Sequence, residues 1–290
     1  MNQRSLLAAF VVSASITALP TSASERPSFT PWELTVYGVQ MPETSVQPDG
    51  KLEQANYGFD LSFTMPVQQG WVMTTSMDYY YTNFDGQGYN LAGYRDWDNQ
   101  QDLGFGLNFV KPSKDSWTWF VGPRVHWAWA NTADASDGFG YGLLAGASYP
   151  VKKNLVLGGG LGYFNDPYAV SMIPVLFIRW EINDRWTLDN PFEPGFSGRA
   201  GLELSYQLSP EWQFGFGSAY RQQRFAIDEG TVEISQPISF LRASFMQTNW
   251  HLSAFLGYRD DGDLEYHGQQ NRKLDVDAES ALGLSATFTF

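Results

Sequence analysis

The strongest constraint on this 290-residue chain is a two-residue alternation that recurs segment after segment. Tyr57, Phe59, Leu61, Phe63 and Met65 alternate with Asn56, Gly58, Asp60, Ser62 and Thr64. Leu103, Phe105, Leu107 and Phe109 alternate with Asp102, Gly104, Gly106 and Asn108. The same beat runs through Trp117–Trp129, Trp212–Phe216, Trp250–Tyr258 and Leu282–Phe290. Successive strand side chains point to opposite faces, so a period of two describes sheet with one apolar and one polar face.

A soluble β-sandwich alternates as well, and three features decide for a membrane barrel. Short polar turns at Val67–Gly70, Lys111–Ser116, Pro150–Asn154, Asn183–Arg185, Ser209–Glu211 and Thr248–Asn249 are interleaved with longer stretches. These longer stretches, read as acidic or glycine-rich loops, are Met41–Glu53, Asp85–Asn99, Asn131–Gly138, Asp228–Glu233 and Asp260–Asp277. Short turns on one side and long loops on the other are the outer-membrane pattern. Trp71, Trp117, Trp186, Trp212 and Trp250 each follow a short turn, which puts five indoles at one interfacial depth, where an apolar ring with a polar N–H is favoured. Tyr79, Tyr81, Trp127, Trp129, Tyr163, Tyr220 and Tyr258 lie about ten residues further along. At about 3.3 Å per residue and a tilt of about 40°, ten residues rise about 25 Å, the height of the apolar band. Finally, the chain ends on Phe288 and Phe290 in an alternating strand, which resembles the terminal signal read by the barrel-assembly machinery.

Composition agrees. Aromatic residues make up 16% and charged residues 17% of the chain, which is wrong for disorder. No apolar run long enough for a helical span occurs beyond the N-terminus. The absence of cysteine excludes disulfides, thiolate zinc sites and a cysteine nucleophile. A net charge of -13 argues against a nucleic-acid partner. Arg4, the apolar Ser5–Leu19 and the small residues Thr21–Ser24 read as a signal peptide over 1–24, followed by a barrel domain over 25–290 in the outer membrane. Counting strands between turns predicts an all-β antiparallel transmembrane β-barrel of about fourteen strands, with twelve as the fallback because the first strand and Trp186–Asn190 are weak.

One segment carries a resemblance. Asn190-Pro191-Phe192-Glu193-Pro194-Gly195-Phe196-Ser197-Gly198, leading into Gly201-Leu202-Glu203-Leu204-Ser205-Tyr206, resembles an uncharacterised family of outer-membrane barrel domains from Gram-negative bacteria. Val110-Lys111-Pro112, then Trp117 and Gly122-Pro123, is similar to the same family. The resemblance implies a barrel and supplies neither substrate nor catalytic residues.

With aromatics facing lipid, the opposite parity faces inward. That places Asp60, Asp78, Asp102, Glu181, Glu203 and Glu279 in the lumen together with Arg124, Arg179, Arg221, Arg242 and Arg259. The expected arrangement sets Asp60, Asp78 and Asp102 across a constriction from the five arginines, giving a transverse field that orients polar solutes. Inward Gly104, Gly106, Gly140, Gly142, Gly146, Gly158, Gly160 and Gly162 allow curvature and aromatic packing, or else one smooth lumen wall. His126, His251 and His267 form no nucleophile or metal pattern, and Asp260, Asp261 and Asp263 near His267 read as a solvated acidic loop. The sequence therefore predicts a non-enzymatic barrel without metal or cofactor, acting as a passive or weakly selective channel for small solutes. Lipids and lipopolysaccharide are its surroundings. A plugged barrel with a structural or surface role is the alternative, and a barrel hydrolase comes third.

Overall fold

The computed structural model describes residues 31–47, 50–87, 97–190, 200–228, 230–268 and 271–290. The expected signal peptide and most of the loop carrying the family resemblance, residues 191–199, lie outside the described residues.

The alternating segments are strands: β1 (Trp32–Val46), β2 (Gly50–Pro66), β3 (Val72–Gln87), β4 (Asn99–Lys111), β5 (Thr118–Ala130), β6 (Phe139–Lys152), β7 (Leu155–Asn165) and β8 (Val170–Glu181). They continue as β9 (Trp186–Asp189), β10 (Ala200–Gln207), β11 (Trp212–Ile227), β12 (Gly230–Met246), β13 (Trp250–Arg259), β14 (Gly262–Gly268), β15 (Arg272–Val276) and β16 (Glu279–Thr289). Each of β2 to β12 pairs antiparallel with its sequence neighbours, and β1 pairing with β16 closes the sheet. β13 and β14 follow one path along β12, interrupted at Asp260–Asp261. β15 and β16 return along it, interrupted at Asp277–Ala278. Among the described residues the wall is thus a closed antiparallel barrel of fourteen strand paths, and closure leaves no free edge to aggregate.

Three of the expected long loops are strand instead. Met41–Glu53 is almost wholly the β1–β2 hairpin, Asp228–Glu233 is the tight β11–β12 reversal, and Asp260–Asp277 contains β14 and β15. Acidic residues dominate the outer parity of these stretches, but Val46, Leu52, Val232, Leu264, Tyr266 and Val276 occupy the inner one and are buried. The short turns fall together at the other end. Between β2 and β3, Gln69 (φ 60°) and Gly70 (φ 77°) are both left-handed, the twist a tight hairpin needs.

Burial is inverted relative to a soluble domain. Phe216 is 60% and Leu284 68% exposed on the outer face, while inward Glu203 and Ser253 are buried. An apolar girdle this continuous is unfavourable in water and is matched by lipid.

Candidate functional site: the lumen and its mouth

All eleven charged residues assigned to the lumen lie on the inward parity of their strands, yet the charges do not oppose one another across it. Arg124 donates to both carboxylate oxygens of Asp78, at 2.7 and 2.6 Å, two strands away on the same wall. The intervening strand offers Gly104, where a Cβ would lie 2.6 Å from Asp78 Oδ2 and closer still to Arg124. Glycine is what lets the pair close over β4. Asp60 and Asp102 stand beside the same pair. The device recurs on β10–β12, where Arg242 binds Glu203 above Gly215 and donates to Gln213 Oε1 at 2.8 Å. Arg259 pairs with Glu279 at 3.0 Å and donates to Gln54 Oε1 at 3.2 Å. Arg179 reaches Glu181 on its own strand at 3.3 Å. Arg221 is within electrostatic range of Tyr37 and Tyr80.

The expected transverse field is therefore replaced by matched pairs along the wall. Attraction grows as separation falls, and a poorly solvated guanidinium is held best by the nearest carboxylate.

The inward glycines are covered rather than smooth. A Cβ at Gly142 or Gly162 would strike the ring of Phe164, one at Gly146 the ring of Phe120, and one at Gly140 the imidazole of His126. Phe120, Leu144 and Val175 form an apolar cluster over this wall, joined by Val110 and Phe177. On the opposite wall Tyr37, Val39, Met41, Ala219, Ile238, Phe240, Phe255 and Ala281 form a second, with Tyr80 packed against it.

The mouth at the end opposite the short turns is closed by β11. Above Ala200–Tyr220 this strand has no β10 partner among the described residues. Pro237, opposite Tyr220 on β12, contributes no N–H. Beyond that point β11 leans inward: Gln223 Nε2 donates to Thr82 Oγ1 at 3.5 Å, and Ala226 pairs with Trp129 of β5. β5 and β11 stand six places apart in a ring of fourteen, so the contact spans the barrel. Phe225 is fully buried there, edge-on to Trp97 at 5.2 Å and stacked on Phe84 at 5.9 Å. Val46, Leu52, Ala128, Ile227, Ile234, Leu264 and Val276 complete the same apolar cap.

A polar cluster flanks the cap. Arg224 joins Asp166, in the β7–β8 turn, at 2.5 Å to Glu233 of β12 at 2.7 Å. His126 Nε2 lies 3.4 Å from Asp166. Arg224 also sits over the Tyr168 ring, which stacks on His267 with centroids 3.5 Å apart and planes 10° from parallel. Burial lowers the His267 pKa below its ordinary 6.5, with nearby Arg224 acting the same way against the opposing pull of Glu233 and Glu265. Sequence reasoning missed Asp166, Tyr168, Arg224, Phe225 and Glu233. The available signal was the apolar inner parity of Phe225 and Ile227 continuing into a stretch read as loop.

The remaining assigned residues are placed as follows. Trp71, Trp117, Trp186, Trp212 and Trp250 all open or directly precede strands at the short-turn end. Phe288 and Phe290 project from the outer face of that end. His126 and His267 both border the polar cluster at the mouth, whereas His251 lies near the short turns, so the three do not converge on one site. His267 meets Glu265 at 3.5 Å rather than Asp260, Asp261 or Asp263.

Fold and lumen together define a closed antiparallel β-barrel with an apolar outer girdle, a fold that solved outer-membrane channels share. An outer-membrane channel from Pseudomonas putida F1 superposes with a TM-score of 0.52 at 12% identity, covering 94% of this chain and 100% of that one. A FadL homologue from Pseudomonas aeruginosa gives 0.51 at 12% identity, covering 89% and 90%. The likeness is one of fold. No family model and no curated protein matches the sequence.

Proposed function

We propose that the protein is a passive outer-membrane channel for small solutes, shut at its extracellular mouth in this conformation by the β11–β12 hairpin. The observation that carries this reading is the nature of the closure. Beyond Tyr220 the β11 limb is held to the far wall by the packing of Phe225, by Arg224 and by a single strand bridge, not by a continuous ladder, while the β12 limb stays paired with β14 as part of the barrel wall. Such a contact opens without breaking the barrel. The fold shared with solved channels supports the same reading. On this proposal the tryptophan rim and the outer aromatic residues meet lipid and lipopolysaccharide, Phe288 and Phe290 are read by the assembly machinery, and the segment from Asn190 supports kinship with the barrel family it resembles.

A second reading, a permanently filled barrel with a structural or surface role, is favoured by the apolar clusters on both walls and across the mouth. Planar-bilayer recording separates the two. The channel reading expects discrete conductance steps, more frequent in Arg224→Gln. Absence of steps from both proteins, each still migrating as a heat-modifiable barrel, overturns it.

A further inference from the structure

We infer that a belt of uncharged amides just beneath the apolar cap is a binding site for a small neutral polyhydroxy solute, such as a pentose or polyol. This names the solute class of the channel and so rests on that reading. Asn56, Thr82 and Gln100 occupy directly paired positions on β2, β3 and β4, face inward and are 3%, 2% and 4% exposed. Gln223 reaches them from β11 through its bond to Thr82. Gln54 lies one inward position above Asn56.

Buried polar atoms are nearly always paired, and five of this belt are not. Both side-chain atoms of Asn56, Nε2 of Gln54, and the Oε1 atoms of Gln100 and Gln223 have no hydrogen-bond partner in the protein. Five orphaned donors and acceptors converge on one level of the lumen. Desolvating them is unfavourable unless a guest supplies matching groups.

The chemistry of the belt selects the guest. An amide offers a donor and an acceptor without net charge, and a hydroxyl offers the same pair in return. A carboxylate or ammonium solute would shed hydration here for neutral partners alone. Of the charges around the belt, Arg124 is committed to Asp78 and Arg259 to Glu279, and Asp102 and Arg221, one inward position below Gln100 and Gln223, carry opposite signs. A purely apolar solute would leave every orphan unmet.

The test uses the mature chain in liposomes and in detergent, with arabinose and gluconate as probes of similar size. Arabinose is expected to enter liposomes at least about tenfold faster than gluconate, about 1.4 kcal/mol of discrimination. It is also expected to be retained by the protein in equilibrium dialysis. Asn56→Leu combined with Gln100→Met should bring the two entry rates together and abolish retention. Gln223→Met serves as a milder single variant with the same direction of change. Equal entry of both probes in the parent, or selectivity and retention surviving in the variants, overturns the belt while leaving the channel standing. Retention of arabinose without entry of any probe supports the belt and overturns the channel. Neither retention nor entry overturns the belt.

Discussion

Replacing Phe225 by alanine tests the closed mouth most directly. Its ring is fully buried between Trp97 and Phe84, at the point where β11 meets the far wall. Truncating a buried phenylalanine costs about 3–5 kcal/mol through lost transfer energy and the cavity left behind. In an opened mouth the hairpin is withdrawn from that cluster, so most of the loss falls on the closed form. At about 1.4 kcal/mol per factor of ten, the open-to-closed ratio should rise by two to three orders of magnitude, roughly enough to turn a rarely open channel into a mostly open one. Single-channel recording in planar bilayers reads that ratio as open probability. Phe216→Ala is the control, because the same truncation on the lipid-facing side, 60% exposed, leaves the mouth untouched. If Phe225→Ala gives an open probability within twofold of the parent while remaining a heat-modifiable barrel, Phe225 does not hold the mouth shut.

The Asp78–Arg124 pair predicts that Gly104→Val drives the guanidinium off the carboxylate and destabilises the barrel by about 3–5 kcal/mol. A lowered urea midpoint would report this. Gly122→Ala, where the nearest atom to a Cβ is 3.4 Å away, should be tolerated. Acidity should loosen the mouth. A histidine whose folded pKa lies below 6.5 contributes full stability above 6.5 and loses it as the external pH falls through the folded value. Open probability should therefore rise on acidification, and His267→Gln should flatten the response. Brominated lipids should quench Trp117 and Trp212, which are half exposed at the short-turn end, when the label sits near the headgroups, and not when it sits at mid-bilayer.

How much of this was legible follows from what each observation depends on. The inward placement of Asp78 and Arg124 could be read because parity is local: a residue's side of the sheet follows from its neighbours alone. That the two bind each other over Gly104 was not legible, since it depends on three strands lying side by side at one register. The hairpins within Met41–Glu53 and Asp260–Asp277 were obscured by their acids, although Leu52, Leu264 and Val276 carried the inner-face signal. The mouth was illegible for a stronger reason. Arg224 and Asp166 are 58 residues apart, Gln223 and Thr82 are 141 apart, and no period links them.

By itself the sequence determined that the chain is a closed antiparallel barrel of about fourteen strands, which residues face outward and which end carries the tryptophans. These follow from a repeat of two and from the solvents on either side of one sheet. Only the tertiary structure decided which charges pair, that glycines make room for those pairs, and that β11 crosses the mouth above a belt of amides with unpaired atoms. Such features exist only when strands far apart in the chain are brought within hydrogen-bonding distance, and closure of the barrel is what brings them there.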